Sequence, residues 1–358
     1  MGDYTPHTIL VTGGAGFIGS HVVQRLHTEF PEATVIVLDK LDVCSSMFSL
    51  GDHVDRFIQY DLLDGPDNII SILQKHQIDT VLHFAAHTHV DLSFGNSLAF
   101  TLNNTYGTHV LLEACRSYGD IKRFINVSTD EVYGESLSKA REDSVLEPTN
   151  PYAAAKAGAE MMAKAYHQSF GMPIITTRGN NVYGPGQYPE KLVPKMLMRA
   201  FQKKPLEVHG DGSSLRSFVY IDDVVDAFMI IVKKGQIGDT YNIGSSMHEK
   251  SVLHVARDIS TLYKVPIHHV RDRPFNDRRY FICDSKLKAL GWTEKTPWKE
   301  GLQKTAAWYA EVPPGYWSTI DLSAHSSSSE RDVCELWRLY SCQDVSDQRF
   351  HFLRSHRL

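Results

Sequence analysis

A chain of 358 residues, 42% of them hydrophobic and 22% charged, has the balance of a folded protein and enough length for one large domain or two ordinary ones. Its net charge of −5, with no long basic run, excludes a surface built to track nucleic-acid phosphates. Cys44, Cys115, Cys283, Cys334 and Cys342 are odd in number and lack metal-ligand spacing, so reduced thiols in the cytoplasm are expected rather than a disulfide framework; no run is apolar enough to span a membrane, and no secretory leader is expected.

From residue 8 to about 180, short apolar runs at 8–11, 33–38, 57–59, 80–84, 124–127 and 173–177 alternate with helical patterns. Strands at that spacing with helices between them predict βαβ units and an α/β fold, a Rossmann-like doubly wound parallel sheet. After the first run comes TGGAGFIG, with Gly13, Gly16, Phe17, Ile18 and Gly19. Glycines between a strand and a helix let the backbone approach a pyrophosphate at the helix N-terminus. Asp39 ends the second strand 20 residues after Gly19; a carboxylate there accepts from both ribose hydroxyls and repels a 2′-phosphate, so NAD is favoured over NADP. Asp61 and Leu62 either frame an adenine or cap the next element. His83, His87 and His89 invite a metal reading, but the Ala85-Ala86 pair at a strand end suits close approach of a cofactor better, and no metal is expected.

The strand at 124–127 runs into VSTDEVYGE, where Asp130 and Glu131 stand side by side. Charges end a buried strand, and in an open α/β sheet the carboxyl ends of the strands are where ligands bind. Further on, Pro151 opens a helix whose first turn carries Tyr152 and, four residues later on the same face, Lys156. A phenol titrating near 10 needs a drop of about 3 units to act as a base near neutrality, which Lys156 and a nicotinamide cation are expected to supply together.

Residues 1–180 are expected to form the NAD-binding domain and 181–317, where Gly and Pro punctuate shorter elements, a smaller, partly interleaved mixed α/β lobe that binds substrate. Residues 318–358 form a polar, Ser-rich stretch expected to be mostly disordered, with Val333, Leu336, Trp337 and Tyr340 at helical spacing for a short partner-binding helix.

The glycine run, Asp39, Ser128-Thr129 and YAAAK, in this order, resemble the extended short-chain dehydrogenase/reductase superfamily. The stretches STDEVYG (128–134), RGNNVYGPGQYPEKLVPKM (178–196), RSFVYIDD (216–223), YNIG (241–244) and DRPFNDRRY (272–280) resemble the nucleoside-diphosphate-glucose 4,6-dehydratases, from about residue 7 to about residue 317. The likeness is strongest to the dTDP-glucose enzymes and to the UDP-glucose dehydratase part of plant rhamnose synthases; RGNNVYGPGQYPEKL and THVDLSFGNS lean toward the UDP-glucose side.

The resemblance implies a mechanism: Tyr152 takes the C4 hydroxyl proton as C4 is oxidised by NAD, Glu131 removes the C5 proton, Asp130 protonates the departing C6 hydroxyl, and hydride returns to C6, with Thr129 orienting the C4 oxygen. It adds Lys40 and Asn103 to the cofactor site, and it implies substrate contacts from Thr88, Asn181, Glu190, Lys191, Arg216, Asn242, Arg273 and Asn276. Arg278 and Arg279 are left unassigned, since structural ion pairs explain them as well. A homodimer through a helix bundle that includes the helix beginning near Tyr152 is implied too. The length leaves no room for the reductase/epimerase domain of rhamnose synthases, so a 4-keto-6-deoxy sugar nucleotide, finished elsewhere into a deoxysugar such as rhamnose, is the expected product. Two other readings stay open: a UDP-sugar 4-epimerase or decarboxylase on the same fold, against which the Asp130-Glu131 pair argues, and a non-catalytic NAD(H)-binding regulator, which has no use for a base and an acid/base pair.

Overall fold

The computed structural model describes residues 2–313 and 315–317, other than 136–137, 246 and 273–276. Strand β1 (Thr8–Thr12) leads into α1 (Phe17–Glu29), β2 (Thr34–Asp39), β3 (Arg56–Gln59), α2 (Pro66–His76) and β4 (Thr80–His83). Short helices α3 (Val90–Gly95) and α4 (Ser97–Phe100) pass through a π-helical turn at Thr101–Tyr106 into α5 (Gly107–Tyr118), β5 (Arg123–Thr129) and a 3-10 turn at Asp130–Tyr133. Then come α6 (Pro151–Phe170), β6 (Ile174–Gly179), β7 (Asn181–Tyr183), α7 (Leu192–Phe201), β8 (Leu206–His209) and β9 (Leu215–Tyr220). The chain continues through α8 (Ile221–Lys234), β10 (Thr240–Ile243), β11 (Glu249–Ser251), α9 (Val252–Tyr263), β12 (Ile267–Val270), α10 (Ser285–Ala289) and α11 (Trp298–Glu311).

Among the described residues the main sheet has seven strands in the order β10-β6-β5-β4-β1-β2-β3, and every pairing in it is parallel. The six strands expected from the apolar runs are all in it. The seventh, β10, comes from within the stretch expected to form the smaller lobe. The order reverses between β1 and β4, and a reversal of this kind leaves a crevice at the carboxyl ends of the strands. Register brings those ends level: Thr12 pairs with Leu38 and His83, and Thr129 with Gly179.

One face of the sheet is buried under α2, α5 and α6, where Leu10, Ile36, Val81 and Phe124 meet Ile69, Leu73, Leu111 and Ala163. Strands buried on both faces must be apolar along their whole length, which is why TILVT and TVIVLD show no alternation. Smaller sheets, β11-β9-β7 and β12-β8, lie outside it. No helix among the described residues is long and apolar enough to cross a membrane. Leu10 is fully buried on β1, an interior strand of the sheet, so Leu10→Ala should cost about 2–5 kcal/mol by denaturant unfolding, through lost burial and the cavity left behind.

Candidate active site

A cavity of about 300 Å³ lies along the strand ends. It is lined by every residue expected to hold the cofactor, namely Gly13, Gly16, Phe17, Ile18, Gly19, Asp39, Lys40, Asp61, Leu62, Ala85, Ala86 and Asn103, and by Thr129, Asp130, Glu131, Tyr152 and Lys156. A second cavity of about 210 Å³ contains Arg216 and shares Glu131, Asn181, Glu190 and Lys191 with the first.

The first cavity fits a dinucleotide. A Cβ on Gly13, whose φ is +70°, would stand 2.5 Å from Ala85 N, and one on Gly19 would stand 2.3 Å from Gly13 O, so this turn closes only around glycine. Helix α1 has no side-chain cap, which leaves its first N–H groups for an anion. Asp39 accepts from Ala15 N at 3.0 Å, Leu41 N at 2.8 Å and Ser45 Oγ at 3.1 Å; these bonds keep the buried carboxylate at the cavity wall although burial raises its pKa. Asp61 caps the next turn, accepting from Leu63 N at 3.0 Å, and also lines the cavity. Lys40 donates to Asn103 Oδ1 at 2.9 Å and lies 3.0 Å from His87 Nε2. Ser128 Oγ and Thr177 Oγ1 are buried on the same wall with no partner among the described residues.

The histidines have other work. His83 bridges Thr12 Oγ1 at 2.7 Å and Thr108 Oγ1 at 2.8 Å, and burial holds its pKa near 3, so it is neutral. His87 pairs with Lys40 and Asp42. No group of three or more potential ligands among the described residues could hold a metal ion.

Asp130 and Glu131 form the 3-10 turn after β5 because Thr129 caps it, accepting from Glu131 N at 3.3 Å. Asp130 is 3% exposed and receives hydrogen bonds from Asn180 Nδ2 at 2.5 Å and Thr129 Oγ1 at 3.2 Å. Burial and then the Glu131 charge push its pKa up to about 7 against those bonds. Glu131 is raised by burial too, but Asn150, Lys191 and Arg216 pull the other way. Asn150 serves twice: its Oδ1 caps α6 by accepting from Ala153 N at 2.8 Å, and its Nδ2 donates to Glu131 Oε2 at 2.9 Å. An aspartate could cap the helix but could not donate.

Tyr152 and Lys156 face the cavity from the first turns of α6, as their spacing predicts. Lys156 and a nicotinamide cation are expected to lower the phenol together; the protein's own groups by themselves do the opposite. Tyr152 is raised by burial and by the charges of Glu131 and Asp130, with only a hydrogen bond to Thr129 opposing. The Lys156 ammonium is instead directed at Val127 O, 2.6 Å away, and burial lowers its own pKa to about 8.

Of the residues implied for substrate, Lys191 donates to Thr88 O at 2.6 Å and lies 3.6 Å from Glu190, while Arg216 lies over the Tyr280 ring, 4.9 Å from its centroid. Asn242 is a correction. It is fully buried, lines neither cavity, and its amide accepts from Tyr133 Oη and donates to Ala140 O and Cys283 O, so nothing of it is left for a nucleotide. Arg273 and Asn276 lie outside the described residues. Arg279 makes a two-pronged ion pair with Glu249 at 2.6 and 2.8 Å. Two site residues escaped the sequence: Asn150 was legible as the cap before Pro151, whereas nothing local separates Asn180 from Asn181.

Comparison with known proteins shows the family. Residues 10–305 match the family described as GDP-mannose 4,6 dehydratase, and the chain belongs to that family. It is 52% identical over 332 residues to a trifunctional UDP-glucose 4,6-dehydratase/UDP-4-keto-6-deoxy-D-glucose 3,5-epimerase/UDP-4-keto-L-rhamnose-reductase of Arabidopsis thaliana, covering 89% of this chain and 50% of that protein. It is 45% identical over 318 residues to the dTDP-D-glucose 4,6-dehydratase of Homo sapiens, covering 85% and 90%. The fold superposes on the crystal structure of the Streptomyces venezuelae dTDP-glucose 4,6-dehydratase with NAD and TYD bound, with a TM-score of 0.82, 35% identity and coverage of 87% and 98%. The chain spans about half the length of the Arabidopsis relatives.

The raised Asp130 has a consequence for stability. Its proton is held more tightly in the folded chain, at about 7, than at the ordinary 3.8 of an unfolded one, so folding weakens as pH rises between those values. Asp130→Asn should therefore be more stable than wild type at about pH 8, by on the order of 4 kcal/mol at most, with a smaller gap at about pH 5, read from denaturant melts.

Proposed function

We propose that the protein catalyses the NAD-dependent 4,6-dehydration of a nucleoside-diphosphate-glucose to the 4-keto-6-deoxy sugar nucleotide. The observation that carries this reading is the pair of adjacent carboxyls at the end of β5, one pushed to about 7 and one held by Asn150, on the same cavity wall as Tyr152. One acid and one base are needed at the same pH, and neighbouring carboxyls in a dry site supply them by splitting their protonation.

When bound, NAD accepts hydride from C4, returns it to C6 and brings a positive charge. That charge, with the nearby Lys156 ammonium, favours the ionised phenol, in which form Tyr152 takes the proton of the C4 hydroxyl, and Thr129 orients the C4 oxygen. The resulting ketone acidifies the C5 hydrogen, which Glu131 removes as a proton. Asp130 gives its proton to the C6 hydroxyl, the C6–O bond breaks, and one water leaves. With hydride at C6 and the proton back at C5 the product is complete, the proton taken by Tyr152 passes by way of water to Asp130, and no cofactor is consumed. Thr88, Asn181, Glu190 and Lys191 would meet the sugar and diphosphate, and Arg216 a phosphate, its planar fork matching two oxygens.

What supports UDP-glucose over dTDP-glucose is the higher identity to the Arabidopsis UDP-glucose 4,6-dehydratase relative, 52% against 45% for the human dTDP-D-glucose enzyme. The epimerase or decarboxylase reading leaves Asp130 and Glu131 without work, and the regulator reading leaves Tyr152 without work as well. A cytoplasmic setting suits the unpaired Cys44, Cys115 and Cys283. A homodimer would cover Leu98, Leu102 and Tyr106, which are 73%, 48% and 49% exposed, together with Met161 on α6, 44% exposed.

Purified protein incubated separately with UDP-glucose and dTDP-glucose should remove one water from at least one of them by mass spectrometry, and Glu131→Gln should remove none. Intact substrates in both tubes, with NAD still on the protein, would move the reading to an epimerase or a regulator. In sedimentation, wild type should run as a dimer, and a Leu98→Glu, Met161→Glu double variant as a monomer; a monomeric wild type refutes the dimer.

A further inference from the structure

Asp130 and Glu131 ride on one short turn, and proton transfer needs its groups held to a fraction of an ångström, so both ends of that turn must be anchored. The amino end continues from β5 and is held by Thr129. The carboxyl end is Tyr133, 6% exposed, whose hydroxyl is used in both directions. It donates to Asn242 Oδ1 at 2.9 Å and accepts from an Arg178 nitrogen at 2.6 Å, while the guanidinium lies over its ring, 4.7 Å from the centroid. Burial keeps the phenol neutral, pushed up to about 12, so its proton stays available to Asn242.

The rest of the Arg178 fork grips both carboxylate oxygens of Glu160. Glu160 stands on α6 four residues beyond Lys156 and eight beyond Tyr152, on one face of the helix. Arg178, Glu160 and Asn242 are 4%, 3% and 0% exposed, so the chain of contacts is dry and each bond in it is costly to break. A continuous buried path thus joins the helix of the proposed C4 base to the turn of the proposed C5–C6 acid/base pair.

We propose that Tyr133, through Arg178 and Glu160, is a positioning residue that holds the carboxyl turn in register with the Tyr152–Lys156 helix; this rests on the dehydratase reading above. Oxidation at C4 draws on Tyr152, Lys156 and Thr129 from this chain and on neither carboxyl of the turn. Proton removal at C5 and proton donation at the C6 oxygen need both carboxyls over two neighbouring carbons at once. Loosening the turn therefore slows the elimination and spares the oxidation.

The test uses the NAD-loaded enzyme and Tyr133→Phe, which keeps the ring and its stacking and removes only the hydroxyl. Three rates are compared with wild type. Water loss is followed by mass spectrometry on whichever of UDP-glucose or dTDP-glucose the wild type dehydrates. The 6-deoxy analogue of that substrate has no hydroxyl to lose, so it reports C4 oxidation by the absorbance of reduced cofactor, and in heavy water it reports C5 proton removal by deuterium uptake. Oxidation should stay within about twofold, while deuterium uptake and water loss fall about ten- to a hundredfold. A merely structural tyrosine would lower the melting temperature and leave the ratio of the rates unchanged. Three rates that fall together, or elimination that matches wild type, overturn the proposal. Should Tyr133→Phe fail to fold, Asn242→Ala removes the phenol's acceptor and is read by the same ratio. A wild type that dehydrates neither substrate instead overturns the dehydratase reading, and this inference with it.

Discussion

Two carboxyl groups on consecutive residues cannot be carried into a dry cleft without compensation, because each ionised form loses its water and repels the other. Much of the local structure follows from that constraint. Asn180 and Thr129 bond Asp130, Asn150 bonds Glu131, and the fields of Lys191 and Arg216 favour ionised Glu131. Compensation is partial for Asp130, which ends near 7, so its protonated form is well populated at neutral pH beside the ionised one. An incomplete cancellation is what a general acid requires.

The partners come from distant parts of the chain. Asn180 follows β6, Asn150 caps α6, and Arg216 lies on β9. What brings them together is the parallel sheet, whose register levels the ends of β5 and β6 and sends α6 back across the sheet from the same edge. The strand reversal between β1 and β4 opens the crevice, and the glycine turn after β1 lets it close on a flat ligand. Scaffold and chemistry are thus separable, consistent with one family fold supporting several reactions.

Tyr152 shows how far a motif can carry an argument about protonation. Its spacing from Lys156 reports that both lie on one helix face, and they do. Spacing does not report where an ammonium points, and here Val127 O takes it while two carboxyls set the phenol's field. Asn242 is a similar case: its place in a motif suggested a ligand contact, yet its amide holds Tyr133 and two backbone carbonyls.

The sequence by itself determined the six apolar strands, the glycine turn, Asp39 at its strand end and the Tyr152–Lys156 face, because each depends on residues near one another along the chain, where periodicity and turn chemistry act. Only the tertiary structure decided that β10 completes the main sheet, that Asn180 rather than Asn181 bonds Asp130, and that Arg178 links Tyr133 to Glu160. Those outcomes depend on contacts between residues far apart in sequence and on how burial weighs against each charge. Neither quantity exists until the chain is folded.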